Sequence, residues 1–211
     1  CNTGPAAGHE GREPMASFET ISLPPARTSG SSSLEEILAR RRSLRSFTTR
    51  AVPLEAIGQL LWAGQGVTAD GGLRTAPSAG ALFGLETYVA CAEYLAHYRV
   101  RPHELTMLRR EDVRGALARA AWGQSFVSRA PLVVALTGVL KRIAGKYGEE
   151  RGARYLAMEA GHAAQNILLQ AEALGYASVP VGAFDDAALD EVLGLGPEEH
   201  TLYLLPIGIA A

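Results

Sequence analysis

The sequence predicts an α+β fold, and three observations carry that prediction. Helical and extended segments are mixed along the chain without the regular βαβ alternation of a doubly wound sheet. One helical segment is far longer than the rest, from about Glu149 to Leu174. Short apolar runs of strand type flank it, notably Pro131-Leu-Val-Val-Ala-Leu136 and Thr201–Ile207. The 211 residues, 47% of them hydrophobic, can bury a core without disulfide staples.

Residues 1–32 are rich in Gly, Pro, Ala, Ser and Thr and read as a flexible leader. Within it, Phe18–Leu23 is a short segment able to lie extended against the body. The folded domain is expected over 33–211. Ser33-Leu-Glu-Glu36 is a capping box, which starts a helix running to about Arg42. Pro53 suits the first turn of a second helix, with Leu54, Ile57, Leu60 and Leu61 on one face and Gly64 and Gly66 near its end. A Gly- and Ser-rich loop follows, DGGLRTAPSAGALFG. Strands are expected at Glu86–Cys91, His97–Val100 and Glu104–Leu108, then a helix over Glu111–Trp122. After the long helix, which Gly175 stops, come a strand near Ala177–Val181, a helix over Asp186–Leu193 and the final strand.

Composition excludes several classes of function. The net charge of −2 lacks the basic surplus of a general nucleic-acid binder. No apolar run approaches the ~18 residues of a membrane span. Two cysteines, Cys1 and Cys91, make neither a disulfide framework nor a metal cage, and no other His or Cys spacing suggests a metal site. Cys1 ahead of a linker is what a processed bacterial lipoprotein presents, and equally what a chain boundary gives. The expected location is the cytoplasm, or the bacterial cell envelope through a lipid on Cys1.

Three stretches could carry chemistry. Arg40-Arg-Arg-Ser-Leu-Arg45 closes the first helix; Arg41 and Arg45 share a face, and with Arg42 and the Ser43 hydroxyl they could wrap an anion. The same cations could simply complement the helix dipole. In Thr75-Ala-Pro-Ser-Ala-Gly-Ala81, small residues allow close approach to a flat ligand, although an ordinary surface loop has the same composition. On the long helix, Glu159, His162 and Asn166 form a polar stripe, read first as a buried hydrogen-bond network and second as catalytic. The nucleotide-loop patterns GxGxxG and GxxxxGK[ST] do not occur.

Taken in order, RRSLRSF, LLWAGQGV, RTAPSAGALFGLETYV, KYGEERGARYLAMEAGHAAQNILLQAEALGYASVPVGAFDD and LYLLPIG closely resemble the nitroreductase superfamily. More narrowly they resemble its SagB-type branch, which includes the thiazoline and oxazoline dehydrogenases of modified-peptide biosynthesis. The resemblance spans about 33–209. It implies an FMN-dependent homodimer, each protomer an antiparallel sheet flanked by helices, with flavin sites at the subunit interface. It places Arg41, Arg42, Ser43 and Arg45 at the FMN phosphate. Pro77, Ser78, Ala79 and Gly80 match the loop that closes over the flavin, normally from the other subunit. Val181, Gly182 and Ala183 match the turn giving backbone N–H groups to flavin N5 and O4. Lys146 and Tyr147 match a pair that azoline dehydrogenases use for proton transfer, a role that removal of a carbon-bound proton requires. On sequence alone they could equally be solvent-facing, though they include one of only two lysines in the chain. Ile209 stands where this branch often has arginine, which removes one cation from the phosphate end. The function implied is two-step hydride transfer through flavin N5 between NAD(P)H and an organic acceptor. The alternatives are azoline oxidation and a flavin-binding module without turnover.

Overall fold

The computed structural model describes residues 19–211. Cys1, and with it the lipoprotein reading, lies outside the described residues, as does Phe18. Seven strands form one antiparallel sheet in the order β1-β4-β3-β2-β5-β7-β6. They are β1 (Thr20–Ser22), β2 (Leu85–Ala90), β3 (Leu95–Arg99), β4 (Glu104–Arg109), β5 (Leu132–Val139), β6 (Ala177–Ser178) and β7 (Glu199–Gly208). Seven helices accompany them: α1 (Leu34–Arg40), α2 (Leu54–Gln65), α3 (Arg114–Ala120), α4 (Ser125–Arg129), α5 (Leu140–Tyr147), α6 (Glu149–Ala173) and α7 (Asp186–Leu193). The fold is α+β, with helices on both faces of the sheet.

The central strands are apolar on both sides because both faces are covered. β5 is buried from Leu132 to Gly138. On one face α2 and α6 pack Leu60, Leu61, Ile167 and Leu168 against Val89, Val134 and Leu136. On the other, α3, α4 and α7 bring Leu117, Val127 and Leu189 against Val133, Ala135 and Leu204. α2 and α6 approach closely where α2 has no side chain: a Cβ on Gly64 would lie 2.8 Å from Ile167 Cδ1.

The leader segment joins the sheet at its edge, where Thr20, Ile21 and Ser22 pair with Thr106, Leu105 and Glu104. The capping box at Ser33 is formed in both directions, Glu36 N to Ser33 Oγ and Ser33 N to the Glu36 carboxylate. The expected strand over 177–181 is cut short. Pro180 has no N–H to continue the ladder, so only Ala177 and Ser178 pair regularly before Val181 rejoins β7 at Leu204. The helix expected over 111–122 is shortened to α3 by the turn at Trp122-Gly123, both of which have positive φ, and α4 beyond that turn is unexpected. α5 follows β5 with no linker, and Gly148 at φ 78° separates it from α6. No described helix is long and apolar enough to cross a membrane.

Candidate functional site

α1 ends at Arg40, and the chain then runs extended beside β6. Ser43 forms a parallel bridge with Ser178, and Leu44 N donates to Ser178 O at 3.1 Å. This carries Arg41, Arg42, Ser43 and Arg45 along the end of the sheet, all but Arg41 exposed. Arg42 Nη1 donates to Ala39 O and Arg41 O, both at 2.8 Å, and so satisfies carbonyls that the helix end leaves free. Arg40 pairs with Glu172 at 3.3 Å, and Arg45 lies 5.6 Å over the Phe126 ring. No acidic side chain among the described residues pairs with Arg41, Arg42 or Arg45. The segment is therefore uncompensated positive charge, suited to a dianionic group.

Three residues beyond Ser178 is the turn Val181-Gly182-Ala183. The Val181 amide is already used, donating to Leu204 O at 2.8 Å, which corrects its expected part as a donor to a ligand. Gly182 and Ala183 are exposed. A Cβ on Gly182 would meet nothing closer than Tyr203 Cε1 at 3.7 Å, so the space beside this backbone is open. Two bonds fix the turn from α3–α4: Gln124 Nε2 donates to Ala183 O at 2.8 Å, and Asp185 N donates to Ala120 O at 2.9 Å. Gln124 carries no sequence signal, because its partner is a carbonyl 59 residues away.

The loop holding Pro77, Ser78, Ala79 and Gly80 is organised from α6. Ser78 Oγ donates to Glu159 Oε2 at 2.6 Å and accepts from Phe83 N at 2.9 Å. Asn166 Nδ2 donates to Thr75 O at 3.3 Å, and Thr75 Oγ1 donates to Trp62 O at 3.1 Å. The polar stripe of α6 is therefore divided: Glu159 and Asn166 hold this loop, while His162 is exposed. Glu159 is 1% exposed. Its burial raises the carboxyl above the ordinary range, against the opposing effects of Ser78, the Gly84 and Leu85 amides and the Arg74 charge. Arg74 is held off Glu159 by its own contacts, a 2.6 Å bond to Gln65 Oε1 and a position 4.4 Å over the Phe83 ring.

Gly80 brings two of the expected groups together. At φ 62°, its backbone passes so close to the end of α5 that a Cβ would lie 2.8 Å from Tyr147 Oη and 3.1 Å from Lys146 Nζ. Lys146 Nζ lies 5.4 Å from the centre of the Tyr147 ring, which packs edge-on against Tyr155. Arg142, one turn earlier on α5, donates to Phe83 O at 3.3 Å and pairs with Glu86 at 2.5 Å. Burial opposes the Glu86 charge, yet hydrogen bonds from His97 and Arg142 hold that carboxyl below its ordinary range. The expected site residues thus fall into two clusters, Arg41–Arg45 with the 181–183 turn, and the 77–80 loop with Lys146 and Tyr147. No hydrogen bond or ion pair among the described residues joins one cluster to the other. No group of three or more His, Cys, Asp or Glu side chains among them could hold a metal ion.

The model of the Nitroreductase family matches residues 38–209. A candidate nitroreductase of Methanocaldococcus jannaschii is 38% identical over 181 residues, covering 83% of this chain and 90% of that protein. Among solved structures, a candidate nitroreductase from Ralstonia eutropha superposes with a TM-score of 0.83 at 33% identity, over 91% of this chain and 90% of its own. The NADPH:FMN oxidoreductase of Vibrio harveyi, solved with NAD+, gives a TM-score of 0.64 at 22% identity, over 84% of this chain and 68% of its own, and shares the fold.

Proposed function

The chain belongs to the nitroreductase family, and on that premise we propose that it is an FMN-dependent oxidoreductase transferring hydride from NAD(P)H to an organic acceptor in two half-reactions. The observation that carries this reading is the basic segment laid beside β6. It puts three arginines, without acidic partners among the described residues, along the same edge as the open turn at Gly182 and Ala183. These residues fit FMN. Arg41, Arg42, Ser43 and Arg45 would hold its phosphate, with Arg42 turning from the Ala39 carbonyl to do so. Pro77, Ser78, Ala79 and Gly80 would cover the ring from the partner subunit of a homodimer, which accounts for a site split into two clusters within one chain. When bound, FMN supplies a two-electron carrier that takes hydride at N5 and returns it there. The Gly182 and Ala183 amides would face that edge, where donors favour the developing negative charge. Gln124 keeps their backbone in place.

A second reading has its own observation. Lys146 and Tyr147 are packed against Gly80, which would set a proton-transfer pair beside the flavin, as azoline oxidation in the SagB-type branch requires.

The two are separated by single-turnover flavin reduction with NAD(P)H and with an azoline peptide as donors. In the first reading nicotinamide reduces the protein, and K146A and Y147F change the rate little. In the second the azoline reduces it, and the same variants slow it about 10²–10⁴-fold. Bound flavin that neither donor reduces would support a module without turnover. R41A and R45A each remove a charge-assisted phosphate contact of about 1.5–3 kcal/mol and should weaken FMN binding roughly 10–150-fold. Full FMN occupancy in both variants would refute the phosphate assignment.

A further inference from the structure

Trp122 is out of place by two physical criteria. It is 71% exposed, the largest exposure of any large hydrophobic residue described. It also has φ 54°, a left-handed conformation that crowds a bulky side chain and that glycine adopts without penalty. The next residue is a glycine, Gly123, at φ 76°. The protomer gains little packing from this indole, yet holds it in a strained backbone. Strain of this kind collects at functional sites.

The location of the turn says which site. Trp122 stands between Ala120 and Gln124, and both are bonded to the segment after Val181: Ala120 O accepts from Asp185 N at 2.9 Å, and Gln124 Nε2 donates to Ala183 O at 2.8 Å. Phe126, in the next turn, lies under Arg45. The strained turn is thus stapled to the open backbone of Gly182 and Ala183, with the basic segment beside it. Gly182 offers no side chain and nothing nearer than 3.7 Å to a Cβ placed there. We propose that Trp122 is a specificity-determining residue, whose indole forms the wall against which the planar, electron-poor ring of the acceptor, a quinone or nitroarene, stacks beside the flavin turn. The proposal rests on the flavin reading above. Offset stacking of an electron-rich indole on an electron-poor ring is the favourable aromatic geometry.

Binding is read directly by fluorescence. Trp62 and Trp122 are the two tryptophans, so W62F leaves Trp122 as the reporter. Titration of the oxidised W62F protein, with no reductant present, by 1,4-naphthoquinone should quench its emission saturably. In steady state, W122A should lower kcat/KM for naphthoquinone relative to that for ferricyanide about tenfold, the scale of one lost aromatic stack. The change should appear in KM, and W122F should restore most of it. W122G should unfold at a higher temperature than wild type, because the strain is relieved and little packing is lost. The proposal is overturned by absent quenching, by an unchanged acceptor ratio, or by a rise in KM confined to NAD(P)H. It is equally overturned if W122G lowers the melting temperature or splits a dimer, which would assign the indole to a subunit interface. A protein that takes up no FMN refutes the flavin reading, and the quenching titration still decides the role of Trp122.

Discussion

At the scale of single residues, the chemistry turns on which polar groups are buried and who satisfies them. Glu159 is the clearest case. Its side chain is enclosed, one oxygen receives the Ser78 hydroxyl, and the other has no hydrogen bond of ordinary geometry. Because burial raises its pKa in the folded protein, the unfolded chain ionises first as pH rises. Above the ordinary glutamate range the unfolded state then binds fewer protons than the folded one, and stability falls with pH until the folded carboxyl has ionised too. E159Q keeps an acceptor for Ser78 and removes the charge. It should therefore melt at or above the wild-type temperature at pH 8 and lose that advantage near pH 4, measured by thermal unfolding across pH. A gain that grows toward acid would contradict the assignment.

At the scale of elements, the 77–80 loop and the end of α5 are one unit, joined at a glycine. Gly80 combines φ 62° with a path so close to the ends of the Tyr147 and Lys146 side chains that a Cβ there would push them aside. G80A should cost about 1–2 kcal/mol from the left-handed backbone alone. It should also displace the loop from α5, so FMN retention should fall more than the loss of melting temperature explains. Equal FMN affinity in G80A and wild type would separate the loop from the flavin site. The sequence shows this loop as small and flexible in composition. It does not show that α6 holds it, because Ser78 and Glu159 are 81 residues apart.

For the whole molecule, the small residues of α6 belong to two faces. Ala160 and Ala164 lie in the protomer core, whereas Ala157 and Gly161 are exposed beside Met158 and His162. The division follows from helix geometry, in which positions one residue apart differ by about 100°. The outer face is the candidate two-fold surface, of order 2,000 Å² or more if the dimer is obligate. Nothing lies within 4 Å of a Cβ added to Gly161. G161R should leave the protomer fold intact and, by light scattering, convert a dimer to monomers that retain FMN poorly. A wild type that is monomeric at micromolar concentration with flavin bound would overturn the shared-site arrangement.

Local rules in the sequence settled much of the architecture. The Ser33 capping box, the apolar period of α2, the apolar run of β5, the length of α6 and the stop at Gly175 are consequences of neighbours within a few residues, and each element stands close to where those neighbours put it. The ordered series of motifs also pointed to the family. Tertiary structure alone decided what depends on distant partners. It spent the Val181 amide on Leu204, gave Gln124 to the Ala183 carbonyl, turned Glu159 inward and His162 outward, and set Lys146 and Tyr147 against Gly80. It also stopped the helix after Ala120 and raised Trp122 on a strained turn. Composition and period cannot encode these outcomes, because a hydrogen bond or a close approach between residues far apart in the chain depends on where the packed core delivers them.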